Sequence, residues 1–335
     1  MTWDLIGHNW AVQLLQGHIR DQSLRHAYLI TGPRGIGKAN LSIRFVQALT
    51  CPQTGPSGNP CLTCTTCDRV SKLEHPDLFP VHVEGNSKQI KVDQIRELIH
   101  SLSLSPYESN RRFGLLFDFE NANPSAQNSL LKTLEEPPGP VILILTAISS
   151  DALLDTITSR CEEIKLNTVP LDLTSQGLQE LHDLPAKEAQ FLAHISGGKP
   201  ETALAMHADQ DILDRRTNLL DEHLEILAGN AVRRFAYADQ TSKDPRKVEE
   251  LLDIWISIWQ DILHRSSGSQ NPLLNIDRAD DIERILQQVN LACARSSLDQ
   301  IRKAHRLLGE NANVKLTLEN LLLGLPTLQA PLKQG

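Results

Sequence analysis

The alternation of apolar and polar positions divides the chain into two unlike halves. In the first, short apolar runs recur: AYLIT at Ala27–Thr31, DLFPVHV from Asp77, GLLFDF from Gly114 and VILILTA at Val141–Ala147. Between them lie stretches with helical spacing, KANLSIRFVQALT (Lys38–Thr50), VDQIRELIHSL (Val92–Leu102) and PSAQNSLLKTLEE (Pro124–Glu136). Pro124 suits a first helical turn, and Pro137 with Pro138 closes that helix. Strands too apolar to keep one wet face, alternating with helices, predict an α/β fold whose parallel sheet is covered on both sides. From Leu166 onward no convincing strand follows, only helical segments separated by loops such as SGGKPE, SSGSQNP and GENAN. The longest, Asp244–His264, carries Val248, Leu251, Leu252, Trp255, Ile258, Trp259 and Ile262 at helical spacing and reads as a core helix of an all-helical domain. The last ten residues, PTLQAPLKQG, read as a frayed end.

The turn after the first strand, GPRGIGKA, matches GxxxxGK at Gly32, Gly37 and Lys38, with Gly35 inside it. A strand before and a helix after give the context in which backbone N–H groups cradle phosphate oxygens and a lysine reaches the outer phosphates. The next position, where a hydroxyl would hold magnesium, is Ala39, and the strand expected to supply a second metal ligand ends in Phe117 and a single aspartate, Asp118. The cradle survives these departures; ATP or ADP binding stays open, and hydrolysis is disfavoured. One carboxylate and water can still bind Mg²⁺, so an ATP-hydrolysing reading through Asp118 stays open as well.

Length and charge narrow the field. A chain of 335 residues exceeds one core. A net charge of −8 argues against a surface that grips nucleic acid throughout. No membrane span is found in the sequence, and the N-terminus lacks a basic segment followed by an apolar one, so a cytoplasmic protein is expected. Of six cysteines, four crowd together as Cys51, Cys61, Cys64 and Cys67. Four closely spaced thiolates suit one structural zinc ion, with no open coordination position for catalysis. The intervening PQTGPSGNP could not pack alone, and disulfides are disfavoured in a reducing compartment. Cys161 and Cys293, outside the cluster, read as buried apolar residues. A zinc-dependent nucleic-acid module is the alternative use of the cluster, but PCLTCTTCDRVSK has few cations and no stacking aromatics.

The run NSLLKTLEEPPGPVILILT, followed by TSRC at Thr158–Cys161, resembles the clamp-loader branch of the AAA+ ATPases, as do IGH near the start, RHAYLITGPRGIGK, the cysteine module and NANVKLTLENLLL near the end. The resemblance spans nearly the whole chain and implies three parts. These are an AAA+ core over 1–165 with the cysteine module inserted at 51–67, a helical lid over 166–208, and an all-helical collar domain over 209–335 that serves oligomerisation. It aligns Phe117 with the metal-binding aspartate of hydrolysing members and Asp118 with the neighbouring glutamate. Thr146 falls at the phosphate-sensing position, and Glu201 stands where motor subunits usually carry arginine. These departures fit the branch known for lacking hydrolysis. Arg160 in TSRC matches the arginine finger that would act in trans on a neighbouring subunit's phosphate. The implied partners are the delta and tau/gamma subunits of the DNA polymerase III clamp loader, with the sliding clamp and primer-template DNA reached through the complex. The competing reading within the family is a motor subunit that hydrolyses ATP in its own site.

Overall fold

The computed structural model describes residues 3–85, 87, 89–310 and 312–329. The chain forms two compact units. One comprises the chain up to Ala193 with Gly198–Thr202, and the other His194–Gly197 with the chain from Ala203 onward.

The first unit contains, in order, α1 (Asn9–Arg20), β1 (Ala27–Thr31), α2 (Lys38–Thr50), α3 (Thr65–Ser71), β2 (Leu78–Val81), α4 (Val92–Leu102), β3 (Arg112–Leu116), α5 (Pro124–Glu135), β4 (Val141–Ala147), α6 (Asp155–Thr158), β5 (Glu162–Lys165), α7 (Leu171–His182) and α8 (Ala186–Ile195), whose last two residues belong to the second unit. The strands form one parallel sheet in the order β2-β3-β4-β1-β5. Every residue of β1, β3 and β4 is buried. Alternate side chains feed two separate cores: Tyr28 and Ile30 meet Trp3, Leu41, Phe45 and Val46 on one face, while Leu29 meets Ile95, Leu98 and Leu130 on the other. A sheet wrapped on both faces is what the continuous apolar runs predict.

A fifth strand lies beyond the four apolar runs. EEIK at Glu162–Lys165 pairs with β1 as the sheet's edge, and Ile164 is its only fully buried residue. Charged side chains on an edge strand discourage further pairing and erase the apolar signature. β3 also begins at Arg112, two residues before GLLFDF, and ends before Phe117.

The second unit takes in α9 (Pro200–Ala208) from Ala203 onward, the helix's first residues lying in the first unit, and contains α10 (Gln210–Leu227), α11 (Ala231–Thr241), α12 (Pro245–Ser266), α13 (Ala279–Leu286), α14 (Leu291–Gly309) and α15 (Val314–Gly324). The long helix expected at Asp244–His264 is α12, opened by Asp244, whose side chain accepts from the N–H groups of Arg246 and Lys247. Its apolar stripe, Trp255 and Trp259 included, is wholly buried at the centre of the helical core. Beside the tryptophans His223 is fully buried; Trp259 Nε1–H donates to its Nε2 at 2.8 Å. Burial, with the nearby Arg234 charge, pushes the His223 pKa down to about 3.

Arg234 is itself buried and holds two helix ends. Its guanidinium donates to the carbonyls of Ile226 and Leu227 at the end of α10, to Leu322 and Leu325 at the end of α15, and to Pro326 beyond it. These are the negative ends of two helices, so one cation satisfies carbonyls that neither helix can satisfy internally. The expectation of a frayed end therefore fails for Pro326–Gln329. Leu328 N–H donates to Leu227 O at 2.8 Å, and Gln329 N–H to Gln288 Oε1 at 2.7 Å. Residues 330–335 lie outside the described residues. Cys161 and Cys293 also depart from expectation: each is partly rather than fully buried, at the margin of its core.

Candidate functional site

The carboxyl ends of β1, β3 and β4 bring together the residues read from the sequence. The loop Gly32–Lys38 leaves β1, Phe117 and Asp118 follow β3, and Thr146 lies near the end of β4, paired with Ile30 of β1. Gly35 and Gly37 adopt left-handed φ values of 74° and 109°. At Gly35 a side chain would also collide with Thr202 Oγ1. Thr146 Oγ1 accepts the Asp118 N–H at 2.9 Å, so the polar residue of β4 holds the turn after β3 rather than standing free. Lys38 is buried, and its Nζ donates to Gly32 O at 2.8 Å and Pro33 O at 3.1 Å. Burial lowers its pKa; Asp118, Glu120 and Glu201 oppose that shift, in that order.

The backbone and lysine thus have the form of a phosphate cradle, but the chemistry of its surroundings does not suit a magnesium–triphosphate group. Residue 39 carries a methyl, residue 117 a phenyl ring packed against the core, and three carboxylates face the lysine. In hydrolysing sites of this kind the hydroxyl and the acid that hold magnesium stand at the first two of these positions.

Arg160 occupies the turn between α6 and β5. Its Nη2 pairs with Glu135 Oε1 at 2.6 Å, and its Nη1 donates to Thr156 O at 2.7 Å. The side chain retains 34% of its exposure, so a charged group outside the chain can still reach it.

The four clustered cysteines converge. Their sulfurs all lie within 4.8 Å of one another, with Cys51–Cys61 at 3.6 Å, Cys51–Cys64 at 3.9 Å and Cys61–Cys67 at 4.0 Å. Tetrahedral Zn²⁺ with bonds of about 2.3 Å requires sulfur separations of about 3.8 Å. Backbone N–H groups point at the sulfurs: Cys64 N–H at Cys61 Sγ (3.3 Å) and Cys67 N–H at Cys64 Sγ (3.4 Å). The N–H of Thr63 is the largest of the influences that pull the Cys61 pKa down to about 6, favouring a thiolate. Leu62, inside the CxxC turn, is left-handed at φ 62°, a conformation that costs an L-residue about 1–2 kcal/mol and that metal ligation would offset. The module is anchored from below, with Trp3 Nε1–H donating to Gly58 O and Gln47 Nε2–H to Cys67 O.

Residues 7–170 match the family described as DNA polymerase III, delta subunit, and residues 210–327 the family described as DNA polymerase III, delta subunit, C terminal. DNA polymerase III subunit delta' of Bacillus subtilis is 28% identical over 317 residues, covering 93% of this chain and 94% of that protein. The protein of the same name from Pseudomonas aeruginosa is 35% identical over 200 residues, covering 58% of this chain and 60% of its own length. The chain belongs to the DNA polymerase III delta-prime family. DNA polymerase III subunit gamma of Buchnera aphidicola subsp. Acyrthosiphon pisum is also similar, 28% identical over 81% of this chain and 79% of that one. A solved DNA polymerase III gamma subunit-related protein of Thermotoga maritima aligns over 93% of this chain and 97% of its own at 21% identity and a TM-score of 0.45.

In this delta-prime family member several residues around the loop escaped the sequence reading or entered it only as letters of a motif. His8, of IGH, is left-handed and places Nε2 3.1 Å from Ile36 O inside the phosphate loop. Glu201 and Thr202 send their N–H groups to Gly35 O at 3.0 and 3.3 Å. Glu120 buries both carboxylate oxygens there without a hydrogen-bond partner among the described residues. Glu135, the second last letter of LLKTLEE, is the residue that pairs with Arg160. Contacts of this kind join positions from 25 to 167 residues apart in sequence, and no local periodicity encodes them.

Proposed function

We propose that this chain is a subunit of the DNA polymerase III clamp loader that does not turn over ATP itself and contributes Arg160 in trans to a neighbouring motor subunit. The observation carrying the first half is the phosphate loop that keeps its backbone form while both metal-ligand positions, Ala39 and Phe117, lack an oxygen. The second half is supported by an arginine that is reachable from outside the chain and braced by Glu135, so that its guanidinium is pre-oriented before it meets a phosphate. Asp118 has its backbone N–H committed to Thr146. In this reading Gly32, Gly35, Gly37 and Lys38 serve the fold rather than catalysis, the cysteine cluster holds one structural Zn²⁺, and the helical second unit joins the collar of the assembly. The three-part division at 165 and 208 belongs to the same proposal. Its setting is the cytoplasm; among the described residues no helix is long and apolar enough to cross a membrane.

The test is steady-state ATP hydrolysis by the reconstituted loader with delta, tau/gamma, clamp and primed DNA. With Arg160→Ala, turnover at the completed site is expected to fall about 10³-fold or more, while the chain alone stays silent. An indifferent Arg160→Ala assembly would remove the trans role, and turnover by the lone chain would favour the motor reading.

A further inference from the structure

The phosphate loop is closed from within. The first turn of α9 sits directly on it: the N–H groups of Glu201 and Thr202 both reach Gly35 O, and Thr202 Oγ1 fills the space that a side chain at Gly35 would need. This docking brings the Glu201 side chain to the cradle, where burial raises its pKa, opposed in turn by the Asn40 N–H, the Lys38 ammonium and the Gly37 N–H. Those are the donors that the geometry of such a loop offers to a phosphate. Asp118 and Glu120 face the same lysine. Three carboxylates, Asp118, Glu120 and Glu201, thus face two cations, Lys38 and Arg34, a balance unfavourable to a polyphosphate.

We propose that Glu201 is the residue that denies this loop to nucleotides, its carboxylate standing as an intramolecular anion where a phosphate group would otherwise accept from the loop. The proposal rests on the non-hydrolysing reading and goes further. It assigns the loss of nucleotide affinity to an occupant on α9, separately from the loss of metal ligands at Ala39 and Phe117. A cradle without metal ligands would still bind ADP through its backbone and Lys38; a cradle filled by its own carboxylate would not. Because the hydrogen bonds that dock α9 on the loop are made by backbone N–H groups, replacing the Glu201 side chain leaves them in place.

The experiment titrates a fluorescent ADP analogue, without and with Mg²⁺, into the full chain and into Glu201→Gln, Glu201→Ala and the double variant Glu201→Gln/Lys38→Ala, with thermal melts of each. The wild type is expected to show no saturable binding up to about 1 mM. Glu201→Gln or Glu201→Ala should bind at least ten-fold more tightly and gain melting temperature with ADP, and the added Lys38→Ala should abolish both gains. Wild-type binding as tight as that of the variants, or silence in both single variants while their melts show a folded chain, would overturn the proposal. ATP turnover measured on the same wild-type sample separates the two readings. ADP binding without turnover defeats the intramolecular anion alone, whereas turnover by the lone chain defeats the non-hydrolysing subunit.

Discussion

Two loops of the first unit are shaped around something small, and they have fared differently. The cysteine loop keeps four like donors within 4.8 Å and holds Leu62 in a left-handed conformation to do so. The phosphate loop keeps its left-handed glycines and its lysine, yet it is ringed by Asp118, Glu120 and Glu201 and lacks an oxygen at residue 39. The comparison separates backbone shape from donor chemistry. Packing of α9, Leu166 and His8 against the phosphate loop preserves its shape whatever the loop binds, since a side chain at Gly32 would strike Leu166 O and His8 reaches Ile36 O. The cysteine loop is tied to the fold at Gly58 and Cys67, and a metal on its four donors would hold the rest of its shape.

The sharpest way to break this contrast is to remove a donor from each loop. Cys67→Ser should cost several kcal/mol and reduce the metal content of the chain from one zinc to none, read by elemental analysis and a thermal melt. A metal-free chain with unchanged melting would show that the cysteine loop, too, stands by packing alone. Acidification compares both loops with the helical unit. His223 is neutral in the fold with its pKa near 3 and charges freely when unfolded, so its contribution is complete above about pH 6.5 and is lost as pH falls toward 3. The loss is about 1.4 kcal/mol per pH unit below 6.5. Melts between pH 7 and pH 4 should show the helical unit failing first, and His223→Phe should flatten that slope. The smallest effect is expected at the phosphate loop. Lys38→Ala should leave ATP turnover of the assembled loader within about two-fold, because no step of the reaction passes through this lysine. A drop of the order seen for a motor-site lysine would mean the loop is not idle.

Much of this was legible in advance. The strands AYLIT and VILILTA, the helices from Lys38, Val92 and Pro124, and α12 stand where periodicity and proline placed them, because each buries a face whose spacing matches its own period. The residues of GPRGIGK and the four cysteines likewise come together as their spacing implied. What stayed hidden depends on charge or distance. β5 is masked by glutamates and a lysine, and the ordered segment Pro326–Gln329 is held by hydrogen bonds to residues far earlier in the chain. Glu201 could be seen as a missing arginine, but only the docking of α9 on Gly35 shows that the residue meets the phosphate loop.

The single guanidinium of Arg234 has a practical corollary for anyone who trims or tags this protein. Five main-chain carbonyls, two of them from α10 and three from Leu322–Pro326, share that one cation, with no carboxylate among them. Cutting the chain after Leu325 would remove Pro326 and leave a buried charge short of acceptors, so the cut would be felt at α10, a hundred residues upstream. The helical unit is thus closed like a clasp near its last described residues, and a fusion partner is better joined beyond Gln329 than in place of what precedes it.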